Sequence, residues 1–407
     1  MLAPYPIPDG VYPVANDLLD LRPDEQIDDD IVHPRPVTGV KNIWFYWHNG
    51  FAKMHPYGQR TVRAWHCRFS KQGWVVRVVD SEPDSPSNIA NWMDTRDPAL
   101  FPRAFAEGSI AGAYRAQHTS DLVRFPLLLR YGGVYADVGM MQIGDLDRLW
   151  NKTVGDASSP WELLTYNAGS VETRALTNYF LGALPDNPLL LRSHQLLLAL
   201  WAEDGGRTCT DDMHNSPLLR ELPLQKSPHS FEEDGRLYSS DDVSRLLADY
   251  IIQGTAMTMV MSTQEDHGWD GPAYAANHIY AMEYMEGSQL INEMTAWQGR
   301  RQFELMSLQL PLGGQPETTD QKLAREIVEA CLRRSFGFKL ATGLIIRVLG
   351  QTLSSLWRDN PGSDDVPGTY AHWLRHGMRY WSPQALPDRM NFQVLKPVKV
   401  GPILDSS

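Results

Sequence analysis

The chain is poor in the features that define several common protein classes. Its three cysteines, Cys67, Cys209 and Cys331, are widely spaced and odd in number, so neither a disulfide framework nor a zinc site can be built from them. Lys and Arg number 37 against 49 Asp and Glu, and the net charge of −12 opposes binding to nucleic acid or to an anionic membrane. It does not oppose a nucleoside diphosphate, because a divalent cation can bridge carboxylate and phosphate.

Targeting segments and nucleotide fingerprints are also lacking. Residues 1–8 have neither the basic nor the apolar region of a signal peptide. No uninterrupted apolar run reaches the ~18 residues that a membrane-spanning helix needs. We therefore expect a cytoplasmic protein without a transmembrane segment. No Gly-x-Gly-x-x-Gly follows a strand and no Gly-Lys-Ser/Thr loop exists, so the dinucleotide and P-loop fingerprints are missing.

The composition that remains, 43% hydrophobic and 21% charged, is that of a globular protein. Residues 1–37 hold seven prolines and an acidic run, which predicts an extended arm that is surface-bound or partly disordered. We predict a catalytic domain over 38–310 and a mostly helical C-terminal extension over 311–407.

Strand and helix patterns alternate in the first part of the catalytic domain, which predicts an α/β fold with a mostly parallel sheet. The predicted elements are strand 43–47, helix 57–70, strand 74–79, helix 87–94, helix 109–131 and strand 134–138. Further helices are predicted over 188–202, 321–357 and 370–381.

Residues 115–139 are the most informative stretch. The polar residues at three- and four-residue spacing are Gln117, Ser120, Asp121 and Arg124. They share one helix face. Pro126 predicts a kink or an early end of this helix. Gly132 and Gly133 can end this helix in a left-handed conformation without a steric penalty. The next residues alternate as a strand and leave Asp137 at its exit, where open α/β sheets bind ligands.

This arrangement resembles the Ser-Asp-x-x-Arg and Gly-Gly-x-Tyr-x-Asp-x-Asp motifs of retaining glycosyltransferases with a GT-A fold. The capsular polysaccharide synthesis proteins of glycosyltransferase family 32 are most similar, and the clostridial glucosylating toxins are more distant. Residues 44–50 resemble the family's opening strand, and the block from residue 175 to 201 resembles the segment after its metal motif. The resemblance spans roughly residues 40–202. It implies a GT-A nucleotide-diphospho-sugar transferase fold, a Rossmann-like and mostly parallel sheet.

The resemblance also implies roles for individual residues. Asp137 would hold Mg²⁺ or Mn²⁺ beside the donor diphosphate, where the ion neutralises the charge of the leaving group. Asp121 and Arg124 would hold the donor sugar and phosphate; the alternative is an ion pair within the helix, worth a few tenths of a kcal/mol. Trp47 would stack on the nucleotide base, although aromatic residues of this strand also belong to a core.

Two further donor contacts are open. Ser120 reaches either the donor or its own helix backbone. Tyr135 alternates with Asp137, so its hydroxyl either lies near the donor or is packed in the interior.

The metal motif departs from the family pattern, because its second aspartate is Gly139 here. A literal Asp-x-Asp at Asp145 and Asp147 is predicted to be a turn that caps a short helix. Asp80 is predicted to form a turn at the end of its strand rather than to touch ribose. Histidines that could complete a metal site are His267, His278, His372 and His376.

The function that the resemblance implies is that of a retaining, metal-assisted glycosyltransferase, most simply a hexosyltransferase. It would move a sugar from a UDP- or GDP-sugar to a hydroxyl acceptor, a small molecule or a glycan with apolar surface. Because the motif reads Asp-Val-Gly, a catalytically silent nucleotide-sugar-binding or scaffold protein is the alternative. A carbohydrate-binding module without a nucleotide site is a third hypothesis, which leaves the motifs unexplained.

Overall fold

The computed structural model describes residues 5–266, 268–311 and 315–404 of the chain. The strands are β1 (Val11–Pro13), β2 (Asn42–Tyr46), β3 (Val75–Val79), β4 (Gly133–Ala136), β5 (Met140–Gln142), β6 (Leu163–Asn167), β7 (Phe180–Ala183), β8 (Phe231–Glu233), β9 (Arg236–Tyr238), β10 (Thr263–Gln264), β11 (Ile279–Glu283), β12 (Gly337–Lys339), β13 (Trp381–Pro383) and β14 (Lys399–Val400). The helices are α1 (Asp24–Val32), α2 (Pro56–Phe69), α3 (Arg103–Ala106), α4 (Arg115–Tyr131), α5 (Leu146–Trp150), α6 (Pro188–Ala202), α7 (Ser240–Tyr250), α8 (Ile252–Met261), α9 (Gly271–His278), α10 (Tyr284–Ser288), α11 (Leu290–Met294), α12 (Gly299–Ser307), α13 (Thr319–Arg334), α14 (Leu344–Leu349), α15 (Leu353–Asp359) and α16 (Tyr370–Tyr380).

Six strands of the described chain form the central sheet, in the order β11-β6-β7-β4-β2-β3. Strand β7 runs antiparallel to both of its neighbours, and the other pairs are parallel. Strands β2, β4, β6 and β7 are buried along their whole length, as expected of a sheet covered by helices on both faces. The predicted α/β class with a mostly parallel sheet is confirmed.

Alternate residues of β2 enter two different cores. Trp44 belongs to the cluster formed with helices α4, α6 and α8, whereas Phe45 belongs to the cluster on the opposite face, which includes residues of α2 and α5. The indole of Trp44 donates a hydrogen bond to the carbonyl oxygen of Gly132 at 2.9 Å. This contact ties β2 to the end of α4, so the two elements that lead into the cleft described below are held in register.

The turn from α4 to β4 depends on its glycines. Gly132 and Gly133 have φ of +63° and +101°, and a Cβ atom on Gly133 would lie 2.3 Å from the carbonyl oxygen of Asn42. A side chain there is excluded by both the backbone conformation and the close approach to β2. Helix α4 runs through Pro126 to Tyr131, so the proline does not end it early.

The N-terminal and C-terminal segments pack on each other and on the central part of the chain. Strand β1 pairs with β13. Strand β12 pairs with β5, the strand that follows β4 in the chain. The N-terminal arm is more ordered than its proline content predicts, because helix α1 buries Ile27 and Ile31 completely. The domain boundaries at residues 38 and 311 stay a prediction.

Three predicted helices differ from the structure. The helix predicted over 109–131 begins only at Arg115. In place of a helix over 87–94 there is a short 3-10 turn at Ile89–Asn91. The helical pattern over 321–357 is interrupted by strand β12, where Gly337 lies so close to β5 that a Cβ atom would be 2.2 Å from Cε of Met140. None of the helices within the described residues is both long and apolar enough to cross a membrane.

Candidate active site

A cleft of about 1410 Å³ opens at the carboxyl ends of β2 and β4. Because these two strands are parallel neighbours, Trp47, which follows β2, and Asp137, which follows β4, come out on the same edge of the sheet. The cleft is lined by the predicted residues Trp47, Ser120, Asp121, Arg124 and Asp137. Residues that are far apart in the sequence thus meet in one cavity.

Helix α4 presents Ser120, Asp121 and Arg124 to this cleft as its polar face. The Arg124 guanidinium lies 2.8 Å from the Asp121 carboxylate and donates to the Ser120 hydroxyl at 3.2 Å. It also donates to the carbonyl oxygen of Asn178 at 2.6 Å. The Arg124 side chain is only 3% exposed. The Arg124 guanidinium is therefore held by partners inside and outside its own helix, so its role is not limited to an ion pair within α4.

Each carboxylate oxygen of Asp137 lies near one positively charged side chain. Its Oδ1 lies 3.3 Å from the Arg124 guanidinium, and its Oδ2 lies 3.3 Å from Nζ of Lys339. The backbone N–H of Asp137 donates to the carbonyl oxygen of Tyr179 at 2.9 Å, which fixes the position of the residue after β4. Asp137 thus orients two positively charged groups at the wall of the cleft.

Tyr135 does not line the cleft, so of the two alternatives for its hydroxyl, near the donor or packed in the interior, the structure has the packed one. Its side chain is completely buried, its hydroxyl is hydrogen-bonded to Ser120 at 2.6 Å, and its ring lies under the Arg124 guanidinium at 4.7 Å. The alternation along β4 therefore points Tyr135 toward the same side as Asp137 but beneath helix α4. Tyr135 positions Ser120 and Arg124 from behind.

Trp47 is half-buried and lines the cleft directly after β2. Its ring is held edge-on by His55, with 5.6 Å between ring centroids. Its backbone N–H continues the sheet by donating to Val79. An indole fixed in this way offers a ring surface to a planar ligand.

Two polar residues of the site were missed from the sequence. Asn178 donates from its side-chain amide to Asp121 at 3.1 Å. It belongs to the block from residue 175 to 201, in which the sequence predicts no site residue. Lys339 lies in a segment predicted to be helical, and no sequence signal pointed to it.

The three candidate histidines that the structure describes do not complete a metal site at Asp137. His278 is hydrogen-bonded to the carbonyl oxygen of Pro160, and His372 to the Tyr5 hydroxyl. The His376 ring makes tilted and edge-on contacts with Tyr380 and Trp381. None of these three lines the cleft. His267 lies outside the described residues.

The donor set around Asp137 does not fit a divalent cation. Such an ion takes several oxygen ligands, whereas both Asp137 oxygens face cationic side chains and the second motif position is Gly139. In the described parts of the chain, the groups of His, Cys, Asp and Glu close enough to share one ion are Asp20, Asp30 and His66, and Asp212, His214 and Asp249. Neither group includes Asp137.

The second Asp-x-Asp has the structural role predicted for it. The Asp145 side chain accepts a hydrogen bond from the backbone N–H of Arg148 and caps helix α5, and Asp147 pairs with Lys41 at 2.6 Å. Asp80 likewise forms a turn, accepting from the Ser85 hydroxyl at 2.7 Å.

Part of the cleft wall is apolar. It is contributed by Leu219, Leu222, Leu224, Ile251, Ile345 and Ile346. These residues come from the segment after α6, from the junction of α7 and α8, and from α14. The cleft can therefore hold a ligand with apolar surface beside the charged cluster.

Burial raises the pKa of the Asp121 carboxyl to about 6, although the adjacent Arg124 lowers it; the charge of Asp137 raises it further. A pKa this close to neutrality means that the charge of Asp121 changes within the range in which enzymes are assayed. The resemblance implies that Asp121 contacts the donor sugar. On that assignment we expect donor affinity to fall as the pH drops below about 6, because the protonated carboxyl loses its charge and one of its two oxygens becomes a hydrogen-bond donor. Calorimetric titration of the donor between about pH 5 and pH 8 checks this expectation.

Protonation of Asp121 does not destabilise the fold at low pH, so unfolding caused by this group cannot explain a loss of donor affinity there. The folded pKa lies above that of an unfolded aspartate, about 3.9, so the contribution of this group to stability is present at low pH and lost as the pH rises through about 6. The Asp121→Asn variant is the control: its residual donor affinity should not change across the same range. An acid limb that persists in this variant would assign the titration to another group.

The chain is similar in sequence to several proteins that are named glycosyltransferases. It matches the family model described as capsular polysaccharide synthesis protein over residues 15–206. It is 29% identical over 379 residues to the O-glycosyltransferase braB of Annulohypoxylon truncatum, covering 91% of this chain and 87% of that protein. It is 30% identical over 360 residues to glycosyltransferase afumC of Aspergillus fumigatus, covering 86% and 88%. Identity to the O-glycosyltransferase PaGT of Phomopsis amygdali is 30% over 381 residues, covering 91% and 89%.

Among solved structures, the PaToxG glycosyltransferase is similar at 14% identity, over 58% of this chain and 84% of that one, with a TM-score of 0.27.

Proposed function

The chain belongs to the capsular polysaccharide synthesis-like family of glycosyltransferases, and from that premise we propose that it transfers a sugar from a nucleoside diphosphate donor to a hydroxyl group with retention of anomeric configuration. The observation that carries the proposal is the convergence of Asp121, Arg124 and Asp137 in one cleft that also contains Trp47. Retention, the GT-A assignment and a hexose as the sugar come from the resemblance of the motifs. A cytoplasmic location remains a prediction from the sequence.

The proposed roles follow from the chemistry of each group. The ring of Trp47 stacks on the base of UDP or GDP, since every base offers a planar face. The Asp121 carboxylate accepts hydrogen bonds from sugar hydroxyls. Arg124, with its planar guanidinium, donates charge-assisted hydrogen bonds to the diphosphate as the bond to the sugar breaks. Ser120 and Tyr135 keep Arg124 in place from within the helix and from behind it.

The transfer needs only the donor and the acceptor as reactants. The bond between the anomeric carbon and the diphosphate oxygen breaks, and its electron pair stays on the diphosphate. The oxygen of the acceptor hydroxyl forms the new bond to the anomeric carbon, and its proton ends on the diphosphate. Negative charge therefore grows where the cationic groups of the cleft lie, which is the general way in which such sites lower a barrier.

We assign no role to the Mn²⁺ or Mg²⁺ that the resemblance implies, because both carboxylate oxygens of Asp137 face cationic side chains and are unsuited to bind a divalent ion. The acceptor that we propose is a hydroxyl-bearing molecule, a small molecule or a glycan, with apolar surface. The apolar part of the cleft wall supports this, and two of the relatives are named O-glycosyltransferases.

Titration with UDP and GDP tests the donor class, and turnover of the corresponding UDP- and GDP-sugars separates this function from the silent binder. We expect one of the two nucleotides to bind, and its sugar conjugate to be hydrolysed or transferred slowly. We expect Trp47→Ala to weaken nucleotide binding by roughly 10-fold or more, because stacking of a base on an aromatic ring is worth about 1–3 kcal/mol.

The matched control is Trp161→Ala, which removes an indole that does not line the cleft and should leave affinity unchanged. Binding without any turnover of a panel of UDP- and GDP-sugars would favour the silent binder. Binding of neither nucleotide would reject the proposed donor class.

A further inference from the structure

We propose that the ammonium group of Lys339 is the resident cation that binds the β-phosphate of the donor, in the place that a divalent ion would otherwise take. The proposal rests on the donor class proposed above. It assigns a ligand-binding role to a residue of the C-terminal extension and makes binding of the donor independent of metal.

The position of Lys339 is set by backbone pairing. Strand β12 runs antiparallel to β5 and places Lys339 opposite Met140, and the backbone N–H of Leu340 donates to the carbonyl oxygen of Gly139 at 2.9 Å. Lys339 is therefore held beside the motif that begins at Asp137. A residue fixed by a strand pair varies less in position than one on a free loop.

The side chain of Lys339 is directed into the cleft although it is nearly buried. It lines the cleft, is 8% exposed, and places Nζ 3.3 Å from Oδ2 of Asp137. The same ammonium donates to the carbonyl oxygen of Leu340 at 3.1 Å and lies 5.6 Å from the centre of the Tyr179 ring. A buried lysine is costly unless its charge is used or paired, and this one is both paired and adjacent to the ligand cavity.

Lys339 also fills the space beside the missing second aspartate. A Cβ atom built on Gly139 would lie 3.7 Å from Nζ of Lys339. The charge balance of the motif is changed accordingly: the family pattern has two carboxylates here, and this chain has one carboxylate and one ammonium. A site that contains its own cation has less need of a divalent ion.

A divalent ion would meet repulsion at this point. To reach Asp137 it would have to displace either the Arg124 guanidinium from Oδ1 or the Lys339 ammonium from Oδ2, each 3.3 Å away. Like charges at such separations in a partly buried site are strongly unfavourable. A diphosphate, in contrast, can approach both cations at once, and an ammonium is an effective point charge for phosphate oxygens.

The test compares nucleoside diphosphates with monophosphates on the full chain. UDP, GDP, UMP and GMP are titrated by calorimetry into wild type after EDTA treatment, and again with added Mn²⁺. We expect the affinity for the diphosphate that binds to change less than about twofold between the two conditions. We expect Lys339→Gln to weaken diphosphate binding by about 10- to 100-fold, as for loss of a charged hydrogen bond, with a much smaller effect on the monophosphate.

Two variants exclude a purely structural role. Lys339→Arg keeps the charge and should restore most of the diphosphate affinity, whereas Lys152→Gln removes an exposed lysine outside the cleft and should change nothing. Equal weakening of monophosphate and diphosphate in Lys339→Gln would overturn the proposal. So would loss of diphosphate binding in EDTA that Mn²⁺ restores, a result that needs only the wild-type protein. That last result would leave the proposed glycosyl transfer intact, whereas binding of no nucleotide would reject both.

Discussion

Exchange of Arg124 for lysine is expected to lower kcat for sugar transfer by about 100-fold or more, the scale of losing one preorganised donor to a developing negative charge. Lysine keeps the positive charge but loses the planar fork with its several donors. In the structure that fork contacts the Asp121 carboxylate, the Asp137 carboxylate and the carbonyl oxygen of Asn178 at the same time. One ammonium cannot satisfy all three, so the geometry of the whole cluster should relax.

Initial rates with a saturating donor, measured beside thermal unfolding, check this expectation. The matched control is Arg130→Lys, the same exchange on the exposed side of the same helix, which should leave the rate unchanged. If Arg124→Lys has a normal unfolding temperature and a kcat within a few-fold of wild type, Arg124 does not act on the leaving diphosphate.

Replacement of Asp137 by asparagine is expected to reduce transfer to below about 1% of wild type, a loss typical for a group that acts only in the transition state. The neutral amide removes the single negative charge between Arg124 and Lys339 and turns an N–H₂ group toward one of these cations. Both should then shift from the positions that they hold at 3.3 Å from Asp137, but they remain in the cleft, where their charge still attracts a diphosphate.

Binding and turnover should separate in this variant. Because the net charge of the cleft becomes more positive, the affinity for the nucleoside diphosphate should be retained or increased while transfer is lost. An ion held by Asp137 would produce the opposite result, loss of both. The control is Asp145→Asn: asparagine caps a helix about as well as aspartate, so capping of α5 and turnover should both be preserved. Normal transfer in Asp137→Asn would remove Asp137 from the active site.

Local sequence patterns were sufficient for much of the cleft. The three- and four-residue spacing placed Ser120, Asp121 and Arg124 on one face of α4, and the paired glycines placed the end of that helix and the start of β4. Such features depend on residues within one or two helical turns, which is why they can be read without the tertiary structure. Membership of the glycosyltransferase family, inferred from these motifs, is confirmed by the relatives.

Other features depend on neighbours that are distant in the sequence. The alternation along β4 correctly put Tyr135 and Asp137 on one side, but only the packing of α4 over the sheet decides that Tyr135 is covered and Asp137 is not. The four histidines were equivalent in the sequence, and the three that the structure describes pack away from the cleft because their helices belong to other parts of the fold.

The sequence by itself thus determined the α/β class, the family, helix α4 with its polar face, and the aspartate at the exit of β4. Only the tertiary structure decided how the charge of that aspartate is balanced. Residues 321–357 have the period of a helix, yet Gly337 to Lys339 form a strand because β5 offers them backbone partners nearly 200 residues earlier in the chain. Long-range pairing overrides local propensity at such a point, and it is this pairing that places Lys339 beside Asp137.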